Sequence, residues 1–136
     1  MEARIDLITV MADNVPRMVQ FYRDVLGFRV ATDMGTYVEF ENQGVRFAVC
    51  ERSILETATG HPSFGDPNQG QSFGLAFPLE SVAELDQAFA DIVAKGAKPV
   101  KAPALMPWGQ KTGFFADPEG NIHELFADLP PGETNE

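Results

Sequence analysis

Apolar and polar positions alternate through residues 4–11, R-I-D-L-I-T-V-M, which puts Ile8 and Val10 on one side of a strand and Leu7, Thr9 and Met11 on the other. The period then lengthens. Val15, Met18, Val19, Tyr22, Val25 and Leu26 recur at helical spacing, with Asp13 placed to cap the start, Pro16 in the tolerated first turn and Gly27 as the stop. Three strand-like runs follow at residues 28–32, 36–41 and 45–51, the last two joined by Asn42-Gln43-Gly44. The order predicted for the first part of the chain is βαβββ. Residues 53–70 are dense in Gly, Pro, Asn, Asp and Ser without sustained periodicity, and read as a linker.

The same grammar then repeats. Residues 72–78 form an apolar strand, and Ser81-Val82-Ala83-Glu84 is a capping box opening a helix whose apolar side carries Val82, Leu85, Phe89, Ile92 and Val93. Gly96 ends it. Residues 99–102 predict a short strand, residues 103–109 a Pro-bearing loop holding Trp108, and residues 113–126 a hairpin about Asp117-Pro118-Glu119-Gly120. With Pro118 and Glu119 at the turn centre, Phe115 opposes Ile122 and Gly113 opposes Glu124. Along the last strand Ile122, Glu124 and Phe126 share one face and His123 and Leu125 the other. A carboxylate on an otherwise apolar face is the feature that asks for an explanation.

Asp13, Val15, Met18, Gln20, Tyr22, Asp24, Val25 and Leu26 match, at constant spacing, Glu80, Val82, Leu85, Gln87, Phe89, Asp91, Ile92 and Val93. That correspondence exceeds shared amphipathicity. The chain is therefore expected to be one α+β domain over residues 1–136: repeat 1 at 4–52, a linker at 53–70, repeat 2 at 71–127 and a polar tail at 128–136. One helix per repeat covers one sheet face, so the two βαβββ repeats are expected to form a curved mixed sheet around a cleft.

Composition narrows the function classes. The chain has 136 residues, 44% of them hydrophobic, enough for a real core. A net charge of -10 without a basic cluster excludes a nucleic-acid surface and favours solubility or attraction of cations. A single cysteine, Cys50, makes no internal disulfide, and with only two histidines there is no zinc-finger cluster. Met1-Glu2-Ala3-Arg4 does not lead from a basic segment into an apolar run, and no stretch has membrane-spanning length, so a soluble cytoplasmic protein is expected.

R-I-D-L-I-T-V-M-A-D-N-V-P-R-M-V-Q-F-Y-R-D-V-L-G-F and F-F-A-D-P-E-G-N-I-H-E-L-F together resemble the vicinal oxygen chelate superfamily over residues 4–127. That superfamily includes glyoxalase I, extradiol dioxygenases and the fosfomycin- and bleomycin-resistance proteins. The resemblance implies a glyoxalase-like fold and a homodimer, with the repeats paired within one chain or swapped between chains. It also implies metal ligands on the first and fourth strands of each repeat. Those positions are Leu7, Ala48, Gly74 and Glu124 here. Three of the four offer no side-chain donor, so no metal and no cofactor are expected.

The face expected to line the cleft in the first repeat carries Tyr37, Glu39, Arg46, Ala48 and Cys50, opposite an apolar face of Val38, Phe40, Val45, Phe47 and Val49. Glu39 and Arg46 fit a cross-strand ion pair, and Glu39 with Glu124 also fits recognition of a cationic group. Trp108 and Phe115 offer an apolar wall for a planar ligand. His123 is expected to be structural because it points away from Glu124, His61 to be an exposed loop residue and Cys50 to be an inert thiol. The ligand-binding set is Tyr37, Glu39, Arg46, Trp108, Phe115 and Glu124. Two functions follow: a metal-independent protein binding a small cationic or aromatic compound, or a glyoxalase I-like lyase using Glu124 as metal ligand or general acid/base.

Overall fold

Strand alternation and helical spacing sort the apolar residues of each half of the chain onto one buried surface. The structure, a computed structural model, describes residues 1–66 and 70–132. Linker residues 67–69 and tail residues 133–136 lie outside the described residues. The chain divides into two units, Met1–Gln69 and Gly70–Glu136.

In the first unit β1 (Leu7–Ala12), β2 (Val30–Asp33), β3 (Tyr37–Phe40) and β4 (Arg46–Glu51) form a sheet in the order β1-β4-β3-β2. β1 and β4 are parallel and the other neighbours antiparallel. α1 (Val15–Gln20) and a π-helical turn (Phe21–Val25) link β1 to β2 and bury Val15, Met18, Val19, Phe21 and Tyr22. Tyr22 meets Phe28, Phe40 and Phe47 at ring-centroid distances of 6.1, 5.9 and 5.3 Å. Each such pair adds about 1 kcal/mol beyond area burial, so this cluster is a main anchor of the helix on the sheet.

Two local expectations change here. Asn14, not Asp13, caps α1: its Oδ1 accepts from the Arg17 amide at 3.1 Å, while Asp13 lies 3.3 Å from the Arg52 guanidinium. The expected linker contains α2 (Arg52–Thr59), closed by Gly60 at φ 67°, and a 3-10 turn (Pro62–Phe64). α2 buries no residue, and Glu51 before it gives no side-chain cap.

In the second unit β5 (Ala76–Pro78), α3 (Val82–Ala94), β6 (Lys98–Met106), β7 (Gln110–Ala116) and β8 (Ile122–Asp128) give the sheet order β5-β8-β7-β6, with β5 and β8 parallel. The order repeats that of the first sheet, so the chain is an α+β fold of two βαβββ repeats. Ser81 caps α3, its hydroxyl accepting from the Glu84 amide at 3.2 Å, and the helix buries Leu85, Phe89 and Ile92. β6 is longer than expected and runs through Pro99 and Pro103, with register irregularities on either side of Lys101. Proline is tolerated because β6 is an edge strand, paired with β7 alone.

The β7–β8 hairpin differs from the expected register by one residue. Ala116 pairs with Ile122, Phe115 with His123, Phe114 with Glu124 and Gly113 with Leu125. The loop between the strands therefore has an odd number of residues, centred on Glu119. Asp117 sets it: its Oδ1 accepts from the amides of Glu119 and Asn121, both at 3.0 Å, and its Oδ2 lies 3.0 Å from His123 Nε2. Gly120 supplies the left-handed step at φ 85°. A one-residue shift exchanges faces, so Phe115 joins the buried side beneath α3 and Phe114 takes its place beside Glu124. Gly113 also turns towards α3, where a Cβ would sit 2.8 Å from the Phe89 ring.

Asp117 is 4% exposed and anchors both backbone and imidazole donors, so Asp117→Ala is expected to lower stability by about 3 kcal/mol in denaturant unfolding. A loss under about 0.5 kcal/mol would mean that the loop closes without its carboxylate.

Candidate functional site

On the first sheet, the pairs Thr9↔Ala48, Glu39↔Ala48 and Tyr37↔Cys50 put these residues, with Leu7 and Arg46, on the face opposite α1. Arg46 binds Glu39 through both ends of its guanidinium, Nη2 to Oε1 at 2.8 Å and Nε to Oε2 at 3.1 Å. The two are diagonal, since β3 and β4 are offset by two residues from direct opposition of this pair, which leaves the faces as expected. Tyr37 donates its hydroxyl to Glu39 Oε1 at 2.8 Å, and Arg46 Nη1 reaches Asp6 at 3.3 Å.

The electrostatics follow from these contacts. Arg46, then Tyr37, hold the Glu39 carboxyl below its usual range. Burial, then the Glu39 hydrogen bond, raises the Tyr37 phenol. Burial, with the Glu51 charge, likewise raises the Cys50 thiol and so disfavours the reactive thiolate. Tyr37, Glu39 and Arg46 are thus brought together as a self-satisfied network whose negative charge is already matched.

On the second sheet Glu124 lies beside Ala76 on β5 and opposite Phe114 on β7, with Phe126 two residues further along its own strand. The Glu124 side chain is half-buried and makes no hydrogen bond or ion pair among the described residues. His123 points the other way: Leu75 N donates to its Nδ1 at 3.1 Å, and Nε2 faces Asp117, so it serves as a buried strut. Phe115 is fully buried against His123 and Phe77 at centroid distances of 5.9 and 6.1 Å, on the opposite face from Glu124. Trp108 sits in the β6–β7 turn, 59% exposed, its indole N–H donating to Gln110 Oε1 at 3.0 Å. Gln110, where β7 begins after that turn, is already four residues from Phe114, roughly 13 Å along the strand, and Trp108 lies beyond it.

The structure therefore brings Phe114 to Glu124 in place of Phe115, beside Phe126, which strand alternation already places on that face, and leaves Trp108 apart. The signal that could have found Phe114 is the spacing of Asp117 and Asn121, two side chains able to bracket a five-residue loop. A cavity of about 370 Å³ in the first unit lies between α1 and the β2–β3 turn, lined by Val15, Val19, Arg23 and Asp33 among others. None of the expected site residues lines it.

The four positions at which the superfamily resemblance implies metal ligands do not fit a metal. Leu7 and Ala48 are apolar, Gly74 has no side chain, and Glu124 is the one carboxylate. No group of three or more His, Cys, Asp or Glu able to hold an ion occurs among the described residues. Among the described residues no helix is long and apolar enough to cross a membrane.

Comparison with known proteins agrees with this architecture. The family model described as Glyoxalase/Bleomycin resistance protein/Dioxygenase superfamily matches residues 4–125. The chain belongs to that superfamily. A glyoxalase/bleomycin resistance protein/dioxygenase from Nocardioides is similar at TM-score 0.86 and 26% identity, covering 100% of this chain and 89% of that one. A protein of unknown function from Agrobacterium tumefaciens str. C58 matches at TM-score 0.72 and 28% identity, over 95% of this chain and 97% of that one. A lactoylglutathione lyase from Agrobacterium tumefaciens shares the fold at TM-score 0.73 and 23% identity, over 93% and 95% of the two chains. No curated protein matches the chain.

The Glu39 network yields a pH test. Because its carboxyl is depressed, the ion pair contributes fully above the unfolded carboxylate value of about 4.3 and is lost as pH falls through the lower folded value. Arg46→Met should return the Glu39 midpoint, followed by carboxyl-carbon NMR, towards the ordinary range. An unchanged midpoint would remove Arg46 as the main cause.

Proposed function

We propose that this chain is a metal-independent, small-molecule-binding member of the superfamily, and that its ligand is a small cationic aromatic compound held on the Glu124 face of the second sheet. The observation that carries this reading is the Glu124 carboxylate itself. It is half-buried, has no cationic partner among the described residues, and stands opposite an aromatic residue, Phe114. An organic cation over that ring gains about 0.5–2 kcal/mol from the ring quadrupole besides the charge attraction to Glu124. The net charge of -10 favours encounter with cations. Glu39, in contrast, already has Arg46. We take Tyr37, Glu39 and Arg46 as a rigid polar surface of the first unit and Trp108 as peripheral. The role expected is sequestration by a cytoplasmic homodimer.

A second reading, a lyase of glyoxalase I type with Glu124 as metal ligand or general acid/base, draws on the superfamily position that Glu124 occupies. The lactoylglutathione lyase from Agrobacterium tumefaciens has this fold. One experiment separates the two. The protein is incubated with Zn, Ni, Mn and Fe(II) in turn, freed of unbound ion and analysed for metal content. Substoichiometric metal throughout, with 2-phenylethylamine binding weakened about tenfold by Glu124→Gln, is the expected result. Stoichiometric retention of one ion would transfer Glu124 to the lyase reading.

A further inference from the structure

Thr112 is fully buried, and its hydroxyl has no hydrogen-bond partner among the described residues. Its position makes this notable. Thr112 pairs with Phe126, and the next pair on the same face is Phe114 with Glu124. The four side chains form a square, with the hydroxyl and the carboxylate at two diagonal corners and the phenyl rings at the other two. Opposed positions of an antiparallel pair lie about 5 Å apart and diagonal ones about 7 Å. Gly113, between Thr112 and Phe114, has its missing Cβ aimed at Phe89 of α3, so Thr112 points to the face away from the helix.

A buried hydroxyl left unpaired is a standing cost that a valine of the same shape would avoid, so its retention is explained if something else satisfies it. The Glu124 carboxylate offers acceptor oxygens, whereas the threonine hydroxyl both donates and accepts. A ligand complementary to this square carries an ammonium for Glu124, a hydroxyl a short distance away for Thr112, and an aromatic ring for Phe114 and Phe126. The hydroxyl is closed to solvent, and Phe114 and Phe126, its neighbours on this face, are half-buried, so binding in the way proposed below requires side chains around Thr112 to move aside.

We propose that Thr112 is a specificity-determining residue that selects aryl amino alcohols, molecules with vicinal ammonium and hydroxyl groups, over the corresponding simple amines. This rests on the binding reading above and deepens it. The test uses the whole chain and two probes differing by one hydroxyl, 2-amino-1-phenylethanol and 2-phenylethylamine, titrated by calorimetry. The wild type is expected to bind the amino alcohol about tenfold more tightly. Thr112→Val should bind both probes equally while its unliganded midpoint of thermal unfolding rises by about 3 °C, and Thr112→Ser should keep the preference. Equal affinities in the wild type, or a preference that survives in Thr112→Val, would overturn the role of Thr112 while leaving the Glu124 reading intact. Failure of the wild type to bind either probe would instead remove the binding reading, and this inference with it.

Discussion

The Asp117 carboxylate is the constraint on which the second unit turns. A buried carboxylate must be met by donors, and the donors within reach are the Glu119 and Asn121 amides, the Asn121 side chain and His123. Meeting them all requires a loop centred on a single residue. That choice decides which side chain of β7 faces which side chain of β8 for the length of the hairpin. Gly113 falls beneath Phe89, where no Cβ fits. Phe115 and His123 fall together on the buried face, and Phe114 falls opposite Glu124. A slip by one residue would leave Asp117 short of partners and drive a phenyl ring into α3, so loop electrostatics and helix packing enforce the same register.

Much of this was legible in the residues. Period 2 and period 3.6 located the βαβββ grammar twice, Ser81 announced the cap of α3, and parity assigned Glu39 with Arg46 to one face and Val38 with Phe40 to the other. A register error of two residues in the first hairpin did no harm, because faces repeat every second residue. An error of one in the last hairpin exchanged Phe114 for Phe115. The turn dipeptide and the Asp117–Asn121 spacing are both visible in the residues, but the further bond from Asp117 to His123 that secures the register is not reported by turn chemistry alone. α2 escaped for a different reason: it is eight residues long, has no side-chain cap at Glu51, and runs into a Gly- and Pro-bearing stretch that reads as a linker. β6 was cut short by its prolines, whose tolerance depends on lying at a sheet edge.

The two repeats share a strand order and differ in what they do with a carboxylate. In the first, Glu39 is consumed internally, bridged by Arg46 and Tyr37, and the position equivalent to Glu124 is Ala48. In the second, Glu124 has no hydrogen bond or ion pair among the described residues, and its cross-strand neighbours are Ala76 and Phe114. The repeat thus supplies two similar scaffolds. On the reading proposed above, an external cation gains most on the second.

A metal site needs donors converging from several strands, and on the metal-independent reading proposed above the Glu124 carboxylate is balanced by the ligand instead. Replacing Leu7, Ala48 and Gly74 by ligating residues would restore donors. It would not by itself remove the phenyl rings of Phe114 and Phe126, which suit an organic cation better than a hydrated ion. Thr112 fits the same pattern, an expensive hydroxyl kept where an apolar residue would pack as well.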